Sequence, residues 1–414
     1  MTSPRSLRVV SVLLSIAAGC GGRVLGPAGP HAPYTGPPPL GAPISPAEGS
    51  SIDDAAGAPT GWRWIPFDDA VCVTATTTAS GSYRFGTSPT GLAISWGDPG
   101  NATLVVFLQG GGACWDFASC GGFKSLGLDK TASTGPFGPA EFVAGVWGRY
   151  PDSWVHRDKL PVALAGATIA FVPYCTGDVH GGARVTTYTP PRWISLPSVT
   201  WSHVGHSNVL AFLKRLGATF PAPARLVVAG SSAGGFGALA NYPAFRWYWP
   251  TSTAWLVDDS GPPLVGSAVP EPSRAAWYAA WDLGASLDPF CPGCPADISQ
   301  ALAEVEALYP DDRIALVSHL QDSVIRTFFG SVQGSPPTFA PMPAATFEAE
   351  LRRLGTLVMD PATPNAKYLF TNTPTPTTHP ALDAPSTVTT PGAGLRPWLE
   401  QMFSGDPAWA SASD

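Results

Sequence analysis

Charge is scarce in this chain: Asp, Glu, Lys and Arg supply only 13% of its 414 residues. No run of Lys and Arg gathers anywhere, and the formal net charge is −7. That excludes the basic patch a phosphate backbone needs, so nucleic acid is not an expected partner. Long apolar runs are also missing. The N-terminal stretch Val9-Val-Ser-Val-Leu-Leu-Ser-Ile-Ala-Ala18 is too short to span a bilayer. No internal repeat is visible, which sets solenoids aside. Cys291-Pro-Gly-Cys294 has no second paired-Cys element to complete four ligands, so no metal is expected. What the chain has in quantity is apolar surface, 44% hydrophobic with 11% aromatic residues, enough for one large buried core. Its 46 Pro and 45 Gly residues describe short elements joined by many turns.

Arg5 and Arg8 ahead of the short apolar stretch read as an export signal. Ala17-Ala-Gly-Cys20 resembles the lipobox of bacterial lipoproteins, whose cysteine carries lipid and becomes the mature N-terminus. The expectation is an exported protein, lipid-anchored to a bacterial membrane through Cys20, with free secretion after plain cleavage as the alternative. Removing residues 1–19 moves the formal net charge from −7 to −9. Six cysteines then remain, Cys72, Cys114, Cys120, Cys175, Cys291 and Cys294, an even set suited to disulfides in an oxidising compartment. Cys291 with Cys294 and Cys114 with Cys120 would close short loops, which leaves Cys72 and Cys175, although sequence alone does not choose among the pairings. Residues 21–60 are dominated by Gly, Pro, Ala and Ser and read as a tether, 61–405 as one catalytic domain, and 406–414 as a tail.

Five apolar runs, 103–108, 167–172, 224–229, 253–257 and 313–317, suit strands buried on both faces. Between the second and third, Val204, Val209, Phe212, Leu213 and Leu216 recur at roughly helical spacing over 204–216. Strand, helix and strand in alternation predict an α/β fold, a doubly wound, mainly parallel sheet with helices on both faces. Such sheets place ligands beyond the carboxyl ends of their strands, so catalytic residues are sought there.

Directly after 224–229 comes Gly230-Ser-Ser-Ala-Gly234, a G-x-S-x-G pattern centred on Ser232. In a tight strand-to-helix turn such a serine stands exposed as a nucleophile, and the following amide, that of Ala233, points toward the oxyanion. Leu108-Gln-Gly-Gly-Gly-Ala-Cys-Trp115 follows the strand 103–108, and its position favours Gly111 and Gly112 as further N–H donors, with Trp115 walling the pocket. The elbow requires an acid and then a histidine downstream. Asp259 and Asp322 are the leading acids, and His319 and His379 are the histidines beyond the elbow's helix. If Asp322 serves, only His379 remains; a solvated surface histidine is the plain alternative for that position.

The combination of Leu-Gln-Gly-Gly-Gly-Ala-Cys-Trp at 108–115, Pro173-Tyr-Cys-Thr-Gly-Asp-Val-His180, His203-Val-Gly-His-Ser-Asn-Val209, Gly230-Ser-Ser-Ala-Gly-Gly235 and Asp259-Ser-Gly261 resembles the pectin acetylesterase and Notum carboxylesterase family. The resemblance runs from about Trp64 to His379 and implies an α/β hydrolase that cleaves O-acyl esters without a metal. It carries the triad onto Ser232, Asp322 and His379, and the oxyanion amides onto Gly111, Gly112 and Ala233. Two features depart from the family pattern. Ala113 intervenes and Cys114 precedes Trp115 after the glycines, and no cysteine lies near His379. Asp178 and His180 precede the serine, so they are read as structural or pocket-lining, and His203 and His206 as structural.

The expected activity is hydrolysis of short O-acyl groups, chiefly acetyl, from a polysaccharide such as pectin by a monomer that needs no cofactor. The motivation for a short acyl group is the resemblance together with Trp115, which could close the acyl side while a disulfide from Cys114 holds it. A fatty-acyl esterase acting on protein or lipid is the alternative within the same chemistry. A serine peptidase is disfavoured by the lack of any specified side-chain pocket. A surface lipoprotein that binds without catalysis is the reading from another class, and retention of Ser232, Asp322 and His379 argues against it.

Overall fold

The computed structural model describes residues 39–77, 83–122, 132–192, 195–266, 268–331, 341–359, 365–372, 389–390 and 393–414. The strands that build the fold are β1 (Ser50–Asp53), β2 (Pro59–Thr77), β3 (Tyr83–Ser95), β4 (Thr103–Leu108), β5 (Thr168–Val172), β6 (Arg184–Tyr188), β7 (Val199–His203), β8 (Arg225–Ser231), β9 (Thr253–Asp259), β10 (Arg313–His319) and β11 (Ala366–Thr371). The helices are α1 (Pro139–Phe142), α2 (Gly205–Thr219), α3 (Ala233–Tyr248), α4 (Glu271–Trp281), α5 (Gly284–Leu287), α6 (Gln300–Leu308), α7 (Ser323–Ser331), α8 (Ala344–Leu357) and α9 (Leu395–Ser404). Among the described residues, no helix is long and apolar enough to cross a membrane.

One ten-stranded sheet runs in the order β1, β2, β3, β5, β4, β8, β9, β10, β11 and a last strand, Ala412–Ser413. From β5 to that last strand every pairing is parallel. At the other edge β1, β2, β3 and β5 pair antiparallel. The fold is therefore α/β with a large mixed, mostly parallel sheet. β6 and β7 form a separate hairpin.

The central strands are buried on both faces because helices cover both. β4 is buried at every residue, and its alternate side chains divide between two apolar layers. Leu104, Val106 and Leu108 join the layer shared with α2, α3, α4 and α6, while Val105 and Phe107 join the layer under α1 and α9. A fully buried Val, Leu or Phe of this kind contributes roughly 1.5–3 kcal/mol, which is why a continuous apolar run here makes a strand rather than an alternating one.

Two stretches differ from the sequence reading. Within 21–60, read as tether, the backbone from residue 39 onward packs against α2. Gly41 N–H donates to Lys214 O at 3.0 Å, and Glu48 pairs with Arg215 at 2.6 Å. Ile44 and Ile52 are buried, and β1 adds an edge strand to β2. At the other end, Ala412–Ser413 of the presumed tail pairs with β11. Composition describes these segments as loop-like because only long-range pairing satisfies their backbone. Among the described residues there are three disulfides: Cys72–Cys175, Cys114–Cys120 and Cys291–Cys294.

Candidate active site

The order β5, β4, β8, β9 creates a switch point, since the chain leaves β4 toward β5 on one side and returns as β8 on the other. A crevice opens beyond the strand ends at such a point. The two glycine-rich segments singled out from sequence follow these two strands. After β8, Ser232 adopts φ 59° and ψ −121° and is the N-cap of α3. Positive φ on a non-glycine residue is costly and must be held by its surroundings. Here the Ser232 N–H donates to Asp259 O at 2.7 Å, and the Gly235 N–H returns to Ser232 O at 2.9 Å. Ala233 then opens the helix, so its N–H belongs to the first turn, where amides lack intrahelical acceptors and the dipole favours negative charge.

The loop after β4 lies against this turn. A Cβ on Gly110 would sit 2.9 Å from Ser232 Cβ, and one on Gly234 would collide with Leu108 O, so only glycine permits the approach. Ser133 N–H donates to Gly111 O at 2.8 Å. In a trans peptide the N–H points opposite its C=O, so that bond turns the Gly112 N–H away from Ser133.

Alternation along β9 separates two neighbouring acids. Leu256 and Val257 enter opposite apolar layers. Asp258 accordingly faces α3, where a Cβ on Gly235 would collide with its Oδ1. Asp259 turns the other way and accepts from Ser231 Oγ at 3.1 Å and from Ser260 Oγ at 3.0 Å. Burial, with Asp259 alongside, raises the Asp258 carboxyl well above the ordinary range. Asp322 is buried just ahead of α7, and its Oδ1 accepts the N–H groups of Val324 and Ile325, each at 2.9 Å. The structure thus gives the two candidate acids different places: Asp259 braces the elbow through Ser231, and Asp322 holds the first turn of a pocket-lining helix. His379 lies outside the described residues. His319 is buried at the end of β10, its Nδ1 and Thr371 Oγ1 being 2.9 Å apart.

Ser232 and Ala233 open onto a pocket that sequence reasoning missed. Its empty volume is about 840 Å³, open mouth included, and its lining is almost wholly apolar. Trp115 forms one wall, packed edge-on against Trp277 and Trp281. The other walls come from α3 through α7, Leu239, Leu287, Ala301 and Phe329 among them, with Ile298 just ahead of α6. The expectation that Trp115 would close the acyl side does not describe this shape, because the cavity is bounded by residues on five helices. The one sequence signal was Trp277 and Trp281 at i, i+4 on α4, a spacing that puts both on one face.

Around the site the histidines are held neutral by burial. His180 is lowered to about 4 and His203 to about 3, and His206 is lowered too, in each case chiefly by desolvation. His203 Nδ1–H donates to Thr176 O at 3.0 Å, so its Nε2 accepts from Tyr188 Oη at 2.7 Å. Among the described residues, Cys114, Cys120 and His203 form one cluster with metal-ligand spacing. The two sulfurs are bonded to each other there, and a disulfide is not the thiolate that ligates metal.

These features define an α/β protein with a strained serine at a strand-to-helix turn, a glycine loop pressed against it, and an apolar pocket at its side. No family model matches the chain. It is 25% identical over 173 residues to palmitoleoyl-protein carboxylesterase notum1 of Xenopus laevis, a similarity covering 39% of this chain and 32% of that protein. The chain therefore matches about a third of that relative's length.

Proposed function

We propose that the protein is a serine carboxylesterase of the α/β-hydrolase type whose acyl group is longer than acetyl. The observation that carries the reading is Ser232 at φ 59° opening directly onto the apolar pocket. Ser232 Oγ attacks the ester carbonyl carbon while His379 takes its proton, and Asp322 orients the imidazolium. The N–H groups of Gly111, Gly112 and Ala233 receive the developing oxyanion. The alcohol leaves with the proton held by His379, and water then releases the acid from Ser232 by the reverse proton path. Acyl length is argued from the lining: each methylene buried against it contributes about 0.8 kcal/mol, roughly a fourfold gain in specificity. The name of the Xenopus relative specifies a palmitoleoyl ester on protein, which is consistent with an apolar acyl site. The motifs shared with pectin acetylesterases favour a second reading, acetyl on a sugar hydroxyl.

Specificity constants on p-nitrophenyl acetate, butyrate, octanoate and palmitate separate the two. A rise from acetate toward octanoate or palmitate supports the proposal. A steady fall beyond acetate, with acetate released from acetylated pectin, replaces it with the second reading. Labelling with a fluorophosphonate tests the nucleophile, and an adduct anywhere but Ser232 rejects the mechanism.

Export and lipidation at Cys20 are part of the same proposal. The three disulfides use the other six cysteines and suit an oxidising compartment, which leaves Cys20 for lipid. Mass spectrometry of the mature N-terminus decides this, an unmodified terminus beyond Cys20 meaning free secretion.

A further inference from the structure

Outside the triad, the segment 174–180 grips the glycine loop at both ends. Val179 and His180 follow one another at φ 49° and 57°, an outlying backbone for a β-branched residue that persists only when its surroundings over-determine it. They do so here. Asp178 accepts from Thr176 Oγ1 and from the Gly205 N–H, each at 2.7 Å. The Asn241 amide donates to His180 O at 2.9 Å, and Cys175 is bonded to Cys72. Held this way, the His180 ring lies 4.7 Å from that of Tyr174, centroid to centroid, and its Nε2–H donates to Gln109 O at 2.9 Å. Tyr174 Oη–H donates to Gly112 O at 2.8 Å, and Tyr174 Oη in turn accepts the Val179 N–H at 2.8 Å. A carbonyl can only accept, so the ring proton sits on Nε2, and burial keeps the ring neutral.

We propose that His180 and Tyr174 are positioning residues for the oxyanion site: by holding Gln109 O and Gly112 O they fix the glycine loop so that its Gly111 and Gly112 N–H groups stay aimed at the reacting carbonyl. The proposal rests on the serine-esterase reading above. Three consecutive glycines have the most backbone freedom to lose, and oxyanion donors act through being pre-organised. The peptide planes entering and leaving the Gly110–Gly112 run are each anchored through a carbonyl, Gln109 O by His180 and Gly112 O by Tyr174, and within the run Gly111 O is anchored by Ser133. The strained pair Val179–His180 has a use in this arrangement, since it turns Val179 toward the acyl pocket and His180 toward the loop.

The test measures kcat and KM on a p-nitrophenyl ester for His180→Leu, His180→Gln, Tyr174→Phe and Ser232→Ala, with active sites counted by fluorophosphonate titration where Ser232 is present. In His180→Leu and Tyr174→Phe, kcat should fall by roughly 10- to 100-fold with KM changed by less than about threefold. His180→Gln keeps an N–H donor and should recover most of the loss. Affinity for a trifluoromethyl ketone should weaken by the same factor as kcat/KM, while affinity for the product carboxylate stays constant. An unchanged kcat in Tyr174→Phe, or equal weakening of ketone and product, overturns the proposal. Tyr174→Phe removes one oxygen, so the test stands even if His180→Leu does not fold. A fully active Ser232→Ala would instead remove the esterase reading itself, whereas an inactive Ser232→Ala beside unaltered His180→Leu and Tyr174→Phe rejects only the positioning role.

Discussion

Removing the disulfides one at a time separates what a crosslink does to the unfolded chain from what its atoms do in the core. The three bonds span 103, 6 and 3 residues of sequence separation for Cys72–Cys175, Cys114–Cys120 and Cys291–Cys294. All six cysteines are buried, none more than 3% exposed, so replacing each pair by alanine removes the same atoms from similar surroundings. The difference between variants then isolates loop closure. In the chain-entropy treatment a loop of roughly 100 residues contributes about 4.7 kcal/mol, and one of a few residues about 2 kcal/mol. Cys72→Ala with Cys175→Ala should therefore lose about 3 kcal/mol more than Cys291→Ala with Cys294→Ala, with the Cys114 and Cys120 pair close to the smaller value. Equilibrium urea unfolding of the three double variants measures this directly, provided each keeps a single transition. Equal losses in all three, or the largest loss from the shortest loop, would refute the reasoning and place the contribution of the long crosslink in native packing.

The neutral state of His180, lowered from 6.5 to about 4 by burial, gives stability that is present above pH 6.5 and lost as pH falls toward 4, because the unfolded chain takes up the proton first. The stability deficit of His180→Gln should shrink by about 3 kcal/mol between pH 7 and pH 4; a constant deficit would mean that the ring is not held neutral. Asp258 has the opposite sign, its carboxyl being raised by burial and by Asp259, so the stability of Asp258→Asn relative to wild type should grow as pH rises above 4, read from melting curves. In the pocket, Ala301→Leu places three carbons where the acyl chain would run, and kcat/KM on palmitate should fall relative to acetate by about tenfold or more. No change in that ratio would show that the acyl chain does not reach α6.

Much of the fold was legible because its signals are local. The run 103–108 is β4 residue for residue, and 167–172, 224–229, 253–257 and 313–317 differ from β5, β8, β9 and β10 by one or two residues at their ends. Val204, Val209, Phe212, Leu213 and Leu216 marked α2 one residue early and three short. In each case an apolar period or a turn residue within a few positions decides the backbone. The antiparallel edge was not legible. β2 bulges between Phe67 and Val71 where it pairs with β3, both strands have mixed faces, and β1 lies in a Gly- and Pro-rich stretch whose partner alone makes it a strand.

The candidate site divides along the same line. The sequence by itself determined that a small-residue turn follows β8, that Ser232 occupies it, and that three glycines follow β4, because tight turns and close backbone approach demand those residue types at those spacings. Only the tertiary structure decided which way Asp258 and Asp259 face, that His180 and Tyr174 hold the glycine loop, and that Trp115 joins Trp277, Ile298 and Phe329 around one cavity. Those residues lie up to about two hundred positions apart, and no local pattern links them. Their meeting is settled by the packing of α3 through α7 on one face of the sheet, where the burial of each side chain depends on all the others.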